Sequence, residues 1–157
     1  MIAIGIRVSP QTIYYSILEQ QDDRTVEIKT VDTIIVPKAM DVPKRLTYIR
    51  TTLISIIAEY KVKKAGIRIF EGSSMNISTD RIYIEGVVQE LFANSSVEKY
   101  FLGTKGTLAK LLEVRVTDIT KWIDEKGKSE DLEIEGWETM KTESRESTLT
   151  AYAAINS

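Results

Sequence analysis

The tripeptide Gly-Ile-Arg occurs twice in this chain, at Gly5-Ile6-Arg7 and at Gly66-Ile67-Arg68, and each copy lies within a short apolar segment that reads as a strand. If the two strands are neighbours in one sheet, their arginines sit together at the edge where an open α/β sheet keeps its ligand site. That placement limits the chemistry. A guanidinium only donates hydrogen bonds, so such a pair holds anions or carboxylates and does not ligate a cation.

The pattern around the two tripeptides predicts the order of elements. Ile2, Ile4 and Ile6 alternate with small residues up to Arg7, the period of a buried strand, and Ser9-Pro10-Gln11 breaks it. Thr12 to Glu19 is rich in β-branched and aromatic residues, and Val26 to Val36 continues in that style after the polar turn Gln21-Asp22-Asp23-Arg24. Together these predict an antiparallel meander of three strands. Pro37 and Pro43 bracket a loop, after which Leu46, Ile49, Leu53, Ile56, Ile57 and Tyr60 recur at helical spacing. Ala65 to Phe70 is the next apolar strand; reached through a helix, it should run parallel to a strand of the meander.

A second helix is predicted from Ser78 or Thr79 to Ala93, with Ile82, Val87, Val88, Leu91 and Phe92 for its buried face, and a fifth strand over Val97 to Leu102. Leu108, Leu111 and Leu112 mark a short helix, and Thr117 is an N-cap candidate before Ile119 and Ile123. Residues 124 to 142 are charged and carry Gly127 and Gly136, which predicts a surface excursion anchored by Trp137. A last helix, from about Ser144 to Ile155, has Leu149, Tyr152, Ala153 and Ile155 in register.

With 157 residues the chain is expected to form one domain, over residues 1–157. Its apolar fraction of 43% and charged fraction of 28% exclude a disordered or membrane-embedded class. No apolar run reaches the ~18 to 20 residues that span a bilayer. Met1 to Val8 enters a strand with no basic region or cleavage site before it, so a cytoplasmic location is expected.

The chain has neither cysteine nor histidine, which removes disulfides, thiol nucleophiles, ordinary zinc sites and His-based triads together. Ser73, Ser74 and Ser78 therefore have no histidine base, and no nucleophile is assigned. A metal would have to be a hard cation such as Mg²⁺ or Mn²⁺ on carboxylate oxygens. The net charge of −2 gives no global basic field, and the local patch Lys61-Val62-Lys63-Lys64 reads first as a solvated turn between helix and strand.

A three-stranded meander followed by helix, strand, helix, strand and a terminal helix is the order of the ribonuclease H-like fold. Within that superfamily the chain resembles the RuvC-type Holliday junction resolvases over nearly its whole length. Ile-Ala-Ile-Gly-Ile-Arg7 resembles the family's first strand, which typically reads Ile-Gly-Ile-Asp. Gly66 to Glu71 resembles the fourth strand, which ends Ile-Glu, and Glu85-Gly86-Val87 resembles the helix glycine that follows. Tyr100-Phe101-Leu102 with Lys105 is similar to the fifth strand and the lysine near its end, and Glu143 to Ala153 is similar to the terminal helix, where two aspartates precede an alanine-rich run. The resemblance implies an α/β fold with a five-stranded mixed sheet, the antiparallel meander plus two parallel strands, flanked by helices.

The departures from the pattern fall where the chemistry would be. The resemblance implies a site of four acids holding two divalent ions about 4 Å apart, one acid from each of the first and fourth strands and two from the last helix. Here the first-strand acid is replaced by Arg7. The fourth-strand position is Phe70 or Glu71, and Glu143 and Glu146 share a helix face at i, i+3, with Ser147 an equal match for the second acid.

Arg7 and Arg68 form either an anion seat, with Lys105 as a further phosphate contact, or ion pairs with Glu71, Glu143 or Glu146 that hold the last helix on the sheet. Glu143 and Glu146 are alternatively solvated acids in the first turn of a helix. The expectation is a RuvC-like domain without metal-dependent nuclease activity and without a cofactor, binding nucleic acid or a protein. The alternative is a Mg²⁺- or Mn²⁺-dependent structure-selective endonuclease using Glu71, Glu143 and Glu146. Resolvases of this type act as dimers, so a homodimer through the helix Val42 to Tyr60 or Thr79 to Ala93 is a further expectation.

Overall fold

The computed structural model describes residues 1–72, 78–124, 132 and 134–157, so Ser73, Ser74 and Gly127 lie outside the described residues. The apolar alternation at the start forms β1 (Ile2–Val8), which pairs antiparallel with β2 (Thr12–Gln20); β2 pairs in the same sense with β3 (Val26–Ile35). Ser9 closes the first turn, its hydroxyl accepting from Thr12 N–H at 3.2 Å and its own N–H donating to Thr12 O at 2.9 Å. Asp41 caps α1 (Val42–Glu59) by accepting from the Lys44 N–H, with Pro43 in the first turn where its missing donor costs nothing.

The crossover through α1 delivers β4 (Lys64–Arg68) parallel to β1. α2 (Thr79–Ala93), capped by Ser78, then delivers β5 (Lys99–Gly103) parallel to β4. The sheet order is β3-β2-β1-β4-β5. After it come α3 (Lys105–Leu111), α4 (Val116–Asp124), a 3-10 turn at Trp137–Thr139, and α5 (Thr142–Asn156). The five-stranded mixed sheet flanked by helices is the one expected.

Two local expectations change. Thr117 is not an N-cap: α4 begins one residue earlier, and the Asp118 carboxylate closes its start by accepting from the Arg115 N–H at 3.1 Å. Ile82 is 45% exposed, and the buried face of α2 is Ile84, Glu85, Val88, Leu91 and Phe92. The observed stripe is rotated from the expected one, and it includes Glu85, whose carboxylate accepts from the Phe70 N–H, a partner outside the helix that helical spacing does not reveal.

α1 and α2 cover one face of the sheet, where Ile4, Ile6, Val8, Ile13, Ile17 and Ile67 join Ile49, Leu53, Ile57, Val88, Leu91 and Phe92 in an aliphatic core. α5 covers the other face, with Ala3 and Leu18 against Ala151, Ala154 and Ile155. Trp137 is buried, as the sequence suggested, beside Ile119, Trp122, Ile123 and Leu149. Arg145 fastens this layer, donating to the carbonyls of Ile123 at 2.7 Å, Trp137 at 3.1 Å and Glu138 at 3.2 Å.

The duplicated tripeptide is explained by register. Gly5 stands opposite Gly66, Ile6 opposite Ile67 and Arg7 opposite Arg68. A methyl group on Gly5 would lie 2.1 Å from Ser147 O and 2.2 Å from Ala151 N, so the backbone of α5 rests directly on β1. One on Gly66 would meet Phe101 at 2.4 Å and the Thr150 methyl at 2.9 Å. Each glycine gives the space α5 needs, and the arginine two residues on, given the period of a strand, points to the same face.

Candidate functional site

Where β1 and β4 end, the two arginines meet the first turns of α5. Arg7 Nε donates to Glu146 Oε2 at 2.7 Å, and Arg7 Nη1 donates to the Val8 carbonyl. Arg68 Nη1 donates to the Ile69 carbonyl at 2.7 Å, while Nη2 pairs with Glu71 Oε1 at 3.0 Å. Arg68 Nε lies 3.6 Å from Glu146 Oε2, beyond hydrogen-bond reach, and this buried atom has no partner among the described residues. Glu71 Oε1 also accepts from the Lys105 backbone N–H at 2.9 Å.

A neighbouring pair extends the network. Both oxygens of Glu85 face the Phe70 N–H, at 3.0 and 3.1 Å, and Arg81 Nε donates to Glu85 Oε1 at 2.8 Å. The Arg81 guanidinium stands 5.5 Å from the centroid of the Phe70 ring, within cation–π range. Arg7, Arg68 and Arg81 are thus balanced by Glu71, Glu85 and Glu146. Burial pushes the Arg68 guanidinium below its usual range, and the carboxylates of Glu146 and Glu71 oppose that shift. It remains charged, because guanidinium has no accessible neutral form in proteins.

These residues do not fit a divalent cation. Glu71 and Glu146 each have an oxygen committed to a guanidinium, and among the described residues no three acidic side chains converge as a ligand set. A cation placed among them would also meet Arg7 and Arg68 at close range. Repulsion between unit charges ~4 Å apart is on the order of 4 kcal/mol at an effective dielectric near 20, and about twice that for a divalent ion.

The other expected site residues fall differently. The Lys105 ammonium turns away to Asp124 Oδ2 at 3.7 Å, so it is the Lys105 backbone that reaches the cluster. Glu143 is half-buried one turn before Glu146 and makes no ion pair among the described residues. Ser147 bonds Ser16, hydroxyl to hydroxyl at 2.7 Å, beneath the cluster. Glu85 was missed as a site residue. Its signal was present, since Arg81 and Glu85 stand at i, i+4 on a predicted helix.

No protein-family model and no curated protein sequence matches the chain. Solved structures do match it. Thermus thermophilus RuvC superposes with a TM-score of 0.72 at 8% identity, covering 99% of this chain and 94% of that one. The chain has a RuvC-like ribonuclease H fold. The T. thermophilus RuvC structure in complex with Holliday junction substrate superposes with a TM-score of 0.67 at 9% identity, over the same shares of both chains. The yeast mitochondrial Holliday junction resolvase Ydc2 follows at 0.57 and 15% identity, covering 98% of this chain and 77% of that one. No helix among the described residues is long and apolar enough to cross a membrane.

Proposed function

We propose that this RuvC-like chain is a DNA-binding module without metal-dependent nuclease activity, and that its ligand is branched DNA of the Holliday junction kind. One observation carries the loss of cleavage: Arg7, at the end of β1, holds Glu146 at 2.7 Å, so a guanidinium takes the position from which the resolvase pattern supplies an acid. Two-metal cleavage needs carboxylates that are free to bring cations together on one phosphodiester. The cluster supplies carboxylates that are already neutralised. The fold supports the choice of ligand, since the T. thermophilus RuvC it matches was solved with a Holliday junction substrate.

The test is a four-way junction assembled from labelled oligonucleotides, followed for binding and for cleavage in Mg²⁺ and in Mn²⁺. Retarded, uncut junction is the expected result. Metal-dependent cutting that Glu71→Gln or Glu146→Gln abolishes would overturn the proposal in favour of the endonuclease. Failure to bind junction or duplex at low salt would reject the DNA ligand and favour a protein partner.

A further inference from the structure

Arg7 and Arg68 share one carboxylate unequally. Glu146 Oε2 is 2.7 Å from Arg7 Nε but 3.6 Å from Arg68 Nε, and among the described residues the Arg68 atom is left without a partner, in a residue only 6% exposed. Its other two nitrogens are committed, to the Ile69 carbonyl and to Glu71. A buried donor without a partner is rare in folded proteins, and here it faces an acceptor that a small side-chain shift would bring within reach. The two arginines also differ in access. The Arg7 side chain is 17% exposed and that of Arg68 is 7% exposed, so Arg7 is the outer of the pair.

We infer that Arg7 contacts a backbone phosphate of the bound DNA, and that Glu146 is its displaceable counter-ion, passing to Arg68 Nε when the phosphate takes its place. This rests on the DNA-binding reading above and specifies where and how the phosphodiester is held. The exchange leaves no buried charge alone. Arg7 trades a carboxylate oxygen for a phosphate oxygen, Glu146 keeps an arginine partner, and Arg68 Nε gains the acceptor it lacks. A charge-assisted bond to an oxyanion replaces one of the same kind, so the cost of breaking the resting pair is largely returned. The neighbouring cations are less available: Lys105 is turned to Asp124 and Arg81 is held by Glu85.

The test measures junction affinity by fluorescence anisotropy across a range of salt, in EDTA, with each variant's fold checked by circular dichroism. Arg7→Gln should weaken binding ~10-fold and reduce the slope of log K against log salt by about one phosphate contact. Glu146→Gln should tighten binding several-fold, because Arg7 is released from its competing carboxylate. Arg68→Lys removes the Nε landing site but keeps the charge, so it should weaken binding with an unchanged salt slope, and this loss should vanish in the Glu146→Gln background.

Wild-type affinity and slope in Arg7→Gln would place the DNA elsewhere and overturn this inference while leaving the DNA-binding reading intact. If Arg7→Gln does not fold, Glu146→Gln decides, and unchanged affinity there has the same consequence. A wild-type chain that binds no DNA overturns both.

Discussion

On one face of the sheet, β1 and β4 present Ile4, Ile6, Ala65 and Ile67 to α1 and α2. On the other, the same two strands present Ala3, Gly5 and Arg7, with Lys64, Gly66 and Arg68 beside them, to the single helix α5. The first face is held by burial of aliphatic area, which has no direction and tolerates repacking. The second is held row by row. Lys64 donates to the Ile155 and Ser157 carbonyls at the end of α5, at 2.7 and 2.8 Å, where a cation complements the helix dipole. The glycines admit the middle of the helix, and the arginines hold Glu146 near its start. A contact that needs a given residue in a given row fixes how the helix lies, and it leaves charged groups at one end of the sheet.

If this contrast is right, its largest consequence is at Gly5. Gly5→Ala puts a methyl 2.1 Å from Ser147 O, where only backbone can yield, so we expect failure to fold or a loss on the order of 4 to 5 kcal/mol in urea unfolding. On the aliphatic face Ile4→Val should cost only ~0.5 to 1.5 kcal/mol. Gly86, in mid-helix on the solvent side of α2, has nothing within 4 Å of an added Cβ, and there the same Gly→Ala change should stabilise by about 0.5 to 1 kcal/mol. A Gly5→Ala chain within 1 kcal/mol of wild type would remove the distinction between the faces.

The next effect is smaller and tests coupling. Arg7→Ala strands Glu146, which is then left with only the Arg68 guanidinium at 3.6 Å, and should cost ~3 to 5 kcal/mol. Leu53→Ala, fully buried against the aliphatic face, should cost a similar ~2 to 5 kcal/mol. Only the first is recoverable: adding Glu146→Gln removes a stranded charge, so the double variant should be more stable than the sum of its parts. Strict additivity would mean that the arginine and the glutamate act independently.

The sequence carried the outline of the α5 face because its rows are written in residue types. Two copies of Gly-Ile-Arg predict adjacent strands, and the register places them opposite one another. The partners across the fold were less legible. Nothing in the spacing of Glu143 and Glu146 says which of them meets an arginine, since both lie on one helix face and only the rotation of α5 on Gly5 selects Glu146. Lys105 was expected as a phosphate contact; its backbone N–H meets Glu71, while its ammonium lies 3.7 Å from Asp124 Oδ2. Glu85 was noted only as the neighbour of the helix glycine Gly86 and was not counted on the buried face of α2; it is buried, with the Phe70 N–H and Arg81 converging on it. Ile82 was expected inside, an apolar residue judged by period alone.

The smallest effect is confined to alkaline solution, and it separates the faces by sign. On the aliphatic side, burial, and secondarily the negative charge of Asp32, push the Tyr15 phenol above its ordinary value of 10.0. The folded chain then holds this proton more tightly than the unfolded chain, so stability is intact below pH 10.0 and is lost as pH rises beyond it. Lys64, on the α5 side, is pushed the other way, below 10.5, by burial and by the neighbouring Lys99 charge. A lowered lysine favours the folded chain more as pH climbs towards 10.5, because the folded chain releases that proton first. Melting temperatures should therefore hold steady in mildly alkaline buffer and fall above pH 10, with Tyr15→Phe flattening the fall and Lys64→Met steepening it. If both variants shifted the alkaline limb in the same direction, the two faces would share one response to pH, and the opposition of burial effects drawn between Tyr15 and Lys64 would fail.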